Sequence, residues 1–132
     1  MNITSFSVQL ASSNSEALRA FYRDVVQLEM DPMMGDAFIT GPAANLFVVD
    51  HSAVAGPTKE PARAVIDLHI TDIDQEHERL QRAGVRFIRE KGLEWWGGVI
   101  STFNDPDGNL IQLMEFKPEL ALAEEPRASA AV

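Results

Sequence analysis

The stretch FNDPDGNLIQLMEF, residues 103–116, decides the fold of this chain. Its centre, Asp105-Pro106-Asp107-Gly108-Asn109, is a strong turn signal, because proline pre-sets φ and glycine tolerates positive φ. Apolar segments flank the turn on both sides. The stretch therefore predicts two strands, residues 98–104 and 109–116, joined as a tight hairpin.

The segment before this hairpin predicts a strand, a helix and a further strand. Residues 64–70 alternate apolar and polar side chains, which is typical of a strand with one apolar face. Asp72 supplies a capping oxygen to a helix that Gly84 ends. Residues 85–88 form the next strand, so the second half of the chain has the order β-α-β-β-β.

The first half predicts a similar order of elements, with two strands placed after its helix. Alternation over residues 3–10 indicates a strand, and apolar residues at helical spacing predict an amphipathic helix over about residues 15–26. Glycine and proline divide the next region into short strands near residues 36–40 and 45–51. A shift of about 58 residues brings the strand–helix boundaries of the two halves into coincidence, so we infer a weak internal repeat.

The repeat divides the chain into four parts. Residues 1–52 form the first βαβββ module, and residues 62–117 form the second. Between them, residues 53–61 (AVAGPTKEP) contain two prolines and no periodicity, as in a linker. Residues 118–132 are rich in alanine and glutamate, and we predict that they form a flexible tail.

Composition excludes several classes of function. The 132 residues contain no cysteine, which rules out disulfides, zinc–thiolate sites and thiol catalysis. The net charge is −9, and such a field repels nucleic acids and anionic lipids. No apolar run reaches the roughly 18 residues that a membrane span needs. The N-terminus, MNITSFSVQL, lacks the features of a signal peptide, so we expect a cytoplasmic protein.

Three segments together resemble one known superfamily. They are AFYRDVVQLEM (20–30), DIDQEHERLQRAGV (72–85) and FNDPDGNLIQLMEF (103–116). In this order they resemble the vicinal oxygen chelate superfamily, also called the glyoxalase/bleomycin-resistance protein/dioxygenase superfamily. The resemblance covers about residues 3–117. It implies an α+β fold in which two βαβββ modules form a half-open, cup-shaped sheet, and it implies a homodimer.

The resemblance also identifies the positions at which enzymes of this superfamily bind a divalent metal. Carried over to this chain, the positions are Ser7, Val48, Val65 and Gln112. Transition metals need converging nitrogen or oxygen donors. Valine has none, and serine is a poor ligand unless deprotonated. We therefore predict no metal and no cofactor.

Other polar residues share the same faces of the predicted strands. Asp67 and His69 have the parity of Val65, with Gln9 and Gln112 expected nearby. A histidine beside a carboxylate could hold a displaced metal, act in acid–base catalysis, or give a pocket polarity. The sequence leaves these three alternatives open. Of the other histidines, His51 is expected at the surface and His77 on the inner stripe of the helix. A core or rim position is expected for a cluster of adaptable methionine side chains, Met30, Met33 and Met34.

Trp95-Trp96-Gly97-Gly98 is the remaining candidate motif. The superfamily often has a Trp-Gly pair at the mouth of its cavity, and an indole there could stack on a flat or cationic ligand. An indole could equally cap the open end of the sheet or lie in a dimer interface.

Two functions follow from these observations. The first is a metal-independent small-molecule binding protein of the bleomycin-resistance type, whose ligand is a small organic, cationic or aromatic molecule. The second is a lyase, isomerase or dioxygenase-like enzyme of the same superfamily with a displaced or lost metal site, and its catalytic residues are not identified. A scaffold role is a third class. The predicted ligand-binding residues are Ser7, Gln9, Asp67, His69, Trp95, Trp96 and Gln112.

Overall fold

The computed structural model describes residues 1–127, which divide into two compact units. The first unit comprises Met1–Pro61 and the turn Asp105–Asn109. The second comprises Ala62–Asn104 and the described chain from Leu110 onward. Each unit contains one four-stranded sheet, and the predicted α+β fold with two βαβββ modules is confirmed. The turn at 105–109 lies outside its predicted module, because its contacts are with the first unit.

The first sheet has the strand order β1-β4-β3-β2. Its elements along the chain are β1 (Phe6–Ser12), α1 (Ser15–Ala20), a π-helical continuation (Phe21–Val26), β2 (Glu29–Met30), β3 (Ala37–Gly41) and β4 (Ala44–Asp50). β1 pairs with β4 in parallel, and the other two pairings are antiparallel. The Asn14 side chain accepts from the Ala17 N–H at 3.3 Å and so caps the start of α1.

The helix of the first unit buries one face against its sheet. Leu18, Tyr22 and Val26 recur every four residues and are all buried. The Tyr22 ring lies 6.2 Å from that of Phe38 on β3. The predicted helix over residues 15–26 is therefore present as one continuous buried stripe, although its second half is π-helical.

The predicted linker is held against the first unit by its backbone. The Gly56 N–H donates to Ser13 Oγ at 3.2 Å, and the Thr58 N–H donates to the Asp107 carbonyl oxygen at 2.8 Å. A single 3₁₀ turn, Pro61–Arg63, then leads into the second unit. His51, just after β4, is exposed as predicted.

The second sheet has the strand order β5-β8-β7-β6. Its elements are β5 (Val65–His69), α2 (Ile73–Arg82), β6 (Phe87–Leu93), β7 (Gly98–Asn104) and β8 (Leu110–Phe116). β5 and β8 are parallel, and the remaining pairs are antiparallel. Of the predicted strands, 98–104 has the observed bounds. The strand predicted over residues 85–88 begins two residues later, at Phe87, and continues to Leu93.

The helix α2 covers one face of the second sheet. Its buried residues are Ile73, His77 and Leu80. The His77 ring lies 3.9 Å from the Phe87 ring, which confirms its predicted packing position. The Ile73 N–H donates to Glu115 Oε2 at 2.8 Å. No helix within residues 1–127 has both the length and the apolar character that crossing a bilayer requires.

The Ile73–Glu115 contact identifies the faces of β8. Glu115 faces α2, so the alternating residues Gln112, Met114 and Phe116 face the opposite way. We call this opposite side of the second sheet the α2-distal face. Residues paired with these three on neighbouring strands lie on the same face.

The predicted hairpin turn is closed by the side chain of Asp105, which is 5% exposed. Its Oδ1 accepts from the N–H groups of Asp107 and Asn109 at 2.9 and 3.0 Å. Its Oδ2 accepts from the Tyr22 hydroxyl at 2.7 Å and from Asn109 Nδ2 at 2.8 Å. Gly108 has φ of 82°, as the turn requires.

The predicted tail, residues 118–132, begins with hydrogen-bonded structure. Pro118–Leu120 form a 3₁₀ turn, and the Leu122 N–H donates to the Trp95 carbonyl oxygen at 2.7 Å. Residues 118–122 thus take part in hydrogen bonds, and the flexibility of the tail stays a prediction. Residues 128–132 lie outside the described residues.

Tyr22 should make stability depend on alkaline pH. Burial, and then the Asp105 carboxylate, hold the pKa of the Tyr22 phenol above its ordinary range. The unfolded chain therefore loses this proton first as the pH rises. We expect the contribution to be constant below about pH 10 and the free energy of unfolding to fall above it by about 1.4 kcal/mol per pH unit. Denaturant unfolding at a series of pH values measures this slope.

The control is Tyr22→Phe, which should lack this component of the slope. At neutral pH this variant should lose about 1–3 kcal/mol, because Asp105 Oδ2 loses a donor in a buried site. Tyr22 is the single tyrosine of the chain, so phenolate absorbance reports it alone. Ionisation of folded protein near pH 10 would contradict the prediction.

Candidate functional site

A row of polar residues crosses the α2-distal face, with one residue from each strand. Asp67 on β5 lies opposite Gln112 on β8, and Gln112 lies opposite Thr102 on β7. Thr102 in turn lies opposite Arg89 on β6, and Arg89 forms an ion pair with Glu94. Alternation along β5 predicts the Asp67 end of this row. The Arg89 end could not be predicted from sequence, because register shifts in β6 hide its alternation.

Three of the predicted site residues contact one another at one end of the row. Gln112 Nε2 donates to Asp67 Oδ1 at 3.0 Å, and His69 Nε2 lies 3.1 Å from Asp67 Oδ2. A carboxylate only accepts hydrogen bonds, so His69 Nε2 carries the proton of this contact. The side chains of Asp67 and His69 are 41% and 67% exposed. We call Asp67, His69 and Gln112 the polar cluster.

Ser7 and Gln9 lie on β1 of the first unit. Both are exposed. Ser7 is opposite Asn45 and Gln9 is opposite Phe47 on β4. Their alternation along β1 places them on one face of the first sheet.

The two tryptophans occupy different environments. The Trp96 ring stacks on Phe116 with ring centroids 6.3 Å apart and an interplanar angle of 27°. Both rings are partly exposed. Trp95 is half-buried, and its carbonyl oxygen accepts from Leu122. We call Trp96 and Phe116 the aromatic platform. Phe116 was missed from sequence, although its alternation with Gln112 and Met114 was a usable signal.

Gly98 allows Trp96 to occupy this position. A Cβ at residue 98 would lie 2.7 Å from Cζ2 of the Trp96 ring and would overlap other atoms of that ring. Gly98 also lies opposite Phe116 in the β7–β8 pairing. The indole therefore covers a backbone position that no larger residue could occupy.

The polar cluster and the aromatic platform lie on one face of one sheet. Gln112, Met114 and Phe116 alternate along β8, and His69 is opposite Met114. Gln112 and Phe116 are four residues apart, which corresponds to roughly 13 Å along a strand. This distance matches a flat molecule of two or three rings with a polar end.

Most of the chain matches one known protein family. The family described as the Glyoxalase/Bleomycin resistance protein/Dioxygenase superfamily matches residues 5–113. The chain belongs to this superfamily. No curated protein matches the chain.

Solved structures with this fold come from several bacteria. TnmS3, an antibiotic binding protein from Streptomyces sp. CB03234, is 25% identical with a TM-score of 0.66, covering 89% of this chain and 99% of its own. A glyoxalase/bleomycin resistance protein/dioxygenase superfamily member from Sphaerobacter thermophilus is 24% identical (TM-score 0.67; 86% and 98%). A glyoxalase/bleomycin resistance protein/dioxygenase from Nocardioides is 19% identical (TM-score 0.66; 96% and 89%).

The metal positions inferred from the superfamily need one correction. Val48 is 1% exposed and lies opposite Leu10, on the buried face of the first sheet. Gln112 lies opposite Asp67, and the equivalent pair in the first sheet is Phe47 opposite Gln9. The superfamily position that was placed at Val48 therefore falls on Phe47. The difference matters because a shift of one residue moves a side chain to the other face of a strand.

The corrected set of donors does not suit a transition metal. Ser7, Phe47, Val65 and Gln112 supply one hydroxyl and one amide between them. Within residues 1–127, no group of three His, Asp or Glu side chains could hold a metal ion. The histidine and carboxylate of the polar cluster are only two such ligands.

We expect purified protein to contain much less than one equivalent of Mn, Fe, Co, Ni or Zn per chain. The reason is the donor set at the four superfamily positions. Elemental analysis after dialysis measures the content. A stoichiometric metal that is lost in Gln112→Ala would contradict the expectation.

Gly98→Ala should displace the Trp96 indole from the platform. The added methyl group overlaps the ring, so the indole must move into solvent and its emission should shift to longer wavelength. We expect a loss of about 1–3 kcal/mol in unfolding free energy, as for other overpacked sites. A Trp95→Phe background isolates the Trp96 signal.

Gly92→Ala is the matched control on the neighbouring strand. A Cβ there has its nearest neighbours at 3.9 Å, so the emission should not change. If Gly98→Ala leaves Trp96 emission at the wild-type wavelength, the indole does not lie over Gly98.

Proposed function

We propose that this protein binds a small organic molecule on the α2-distal face of its second sheet without a metal, as a binding protein of the bleomycin-resistance type. The observation that carries the proposal is the presence of the polar cluster and the aromatic platform on one face. Ligand sites usually combine apolar and aromatic walls with a few placed polar groups.

The chemistry of this face favours a flat ligand with a cationic or hydrogen-bond-donating end. A ring of the ligand lies against Trp96 and Phe116, with Met114 beneath its middle. The donor group contacts Asp67, whose oxygens each have a free lone pair after bonding to His69 and Gln112. The net charge of −9 adds a long-range attraction for cations.

A relative supports the proposal independently. TnmS3 shares this fold over nearly its whole length, and it is an antibiotic binding protein. Antibiotics of many classes have a flat or polycyclic part with polar substituents, and we propose a ligand of that kind here.

The proposal includes further contacts that the sequence analysis predicted. Trp95 is proposed as an additional ligand contact in the second unit, Ser7 and Gln9 are proposed as ligand-binding residues of the first sheet, and a homodimer is proposed as the assembly. Both the contacts and the homodimer stay predictions.

Titration calorimetry with paired aromatic compounds tests the site. Members of each pair have the same ring system, and one has a cationic substituent where the other is neutral. We expect the cationic member to bind more tightly. Asp67→Asn should weaken it by about 10- to 100-fold, as expected for a hydrogen bond to a charged group. Trp96→Ala should weaken both members of the pair.

Asp74→Asn is the matched control for charge. Asp74 lies on α2, is exposed and pairs with Lys91, so its loss removes the same charge from another surface. We expect little change in affinity for this variant. If affinity for every binder is insensitive to both Asp67→Asn and Trp96→Ala, ligands do not bind on this face.

A further inference from the structure

The polar cluster has the geometry of an oriented base as well as that of a binding site. His69 Nε2 donates to Asp67 Oδ2 at 3.1 Å, and Gln112 Nε2 holds the other oxygen of Asp67 at 3.0 Å. The carboxylate is thus fixed from one side by an amide, and it fixes the imidazole from the other. In a neutral imidazole with its proton on Nε2, Nδ1 has the free lone pair.

This free nitrogen is accessible. Within residues 1–127, His69 Nδ1 has no hydrogen-bond partner, and the His69 side chain is 67% exposed. Met114, opposite His69, is the next residue on its face before Phe116 of the aromatic platform. A ring that is seated on the platform and extends over Met114 therefore approaches the exposed His69 side chain.

The other two histidines lack this arrangement. His51 Nδ1 accepts from the Ala53 N–H, so that nitrogen is already occupied. His77 pairs with Glu90, but it is 6% exposed and packs against Phe87. Among the three histidines of the chain, His69 alone combines a carboxylate partner with an accessible ring nitrogen.

We propose that His69, oriented by Asp67, is a general base that removes an acidic C–H proton from a flat aromatic molecule bound on the same face. This inference rests on the proposed function, since the same platform must bind the substrate. The C–H bond breaks, a new N–H bond forms at Nδ1, and the electron pair left on carbon moves into the conjugated system of the substrate. The Asp67 carboxylate stabilises the resulting imidazolium. His69 is the catalytic residue, and Asp67 is a positioning residue.

A nitro-substituted benzisoxazole is the probe for this step. It is flat, aromatic and neutral, and removal of its one acidic C–H proton opens the ring. The electron pair of the C–H bond forms a nitrile as the N–O bond breaks, and the oxygen leaves as a coloured phenolate. No oxidant, reductant or second substrate takes part, and the proton passes from His69 to water.

We expect the variants to lower the rate of ring opening without a matching change in the affinity for the probe. His69→Gln and His69→Asn should each lower the catalysed rate by about 100-fold or more, the usual contribution of a positioned base. Asp67→Asn should lower the rate while the dissociation constant of the neutral probe stays within about threefold of wild type. His51→Gln, which removes an exposed histidine elsewhere, should leave the rate unchanged.

The remaining outcomes distinguish this inference from the proposed function. If the probe binds and both His69 variants turn it over at the wild-type rate, the general base is wrong and the binding site stands. If calorimetry detects no binding of the probe to wild-type protein, and none of any other flat aromatic compound, both proposals are overturned.

Discussion

The carboxylate of Asp105 accepts four hydrogen bonds in a buried position, one of them from the hydroxyl of Tyr22. Two of the others come from backbone N–H groups of the turn between β7 and β8, which would otherwise lack partners away from water. The turn keeps its shape because Asp105 is held there, and β7 and β8 run on from it in register. Every distal-face position on these two strands depends on that register.

Because side chains alternate between the two faces of a strand, the register decides which chemical groups share the α2-distal face. Because α2 covers the face that Glu115 occupies, the polar row and the aromatic platform are left on the other. Parallel pairing of β5 with β8 brings Asp67 opposite Gln112, although the two are 45 residues apart in sequence. The Gln112 amide donates to Asp67 where a carboxylate at the same position would repel it. The residue type at 112 thus decides whether Asp67 has a hydrogen-bond donor or a repelling charge opposite it.

Sequence patterns predict the elements of this structure in which apolar and polar residues recur at a regular spacing. The alternation Ile66-Asp67-Leu68-His69 predicts both the strand β5 and the neighbours in the polar cluster. The turn at Asp105–Asn109 predicts the hairpin. In β4 the run Leu46-Phe47-Val48-Val49 is apolar throughout, so the sequence does not show which of these residues face the same way. Only its pairing with β1 shows that Phe47, and not Val48, shares the face of Gln9.

Two further features occur beside contacts that no local pattern contains. The helix of the first unit becomes π-helical at Phe21, where the buried hydroxyl of Tyr22 reaches Asp105 in a distant part of the sequence. Trp96 lies on Phe116 because Gly98 leaves room for the ring. The sequence shows the Trp-Trp-Gly-Gly motif, but the partner ring is on another strand. Local sequence preferences predict the conformation of each segment, whereas contacts between distant residues such as these are decided by tertiary packing.

The assignment of Asp105–Asn109 to the first unit has a consequence for biosynthesis. The chain passes from the first unit to the second after Pro61, returns for five residues, and leaves again at Leu110. Tyr22 and Asp105 are 83 residues apart. While the ribosome is still making β6, the N-terminal module has a tyrosine hydroxyl facing its interior and no acceptor for it. The hydrogen bond between Tyr22 and Asp105 therefore forms only after residues 105–109 have been synthesised.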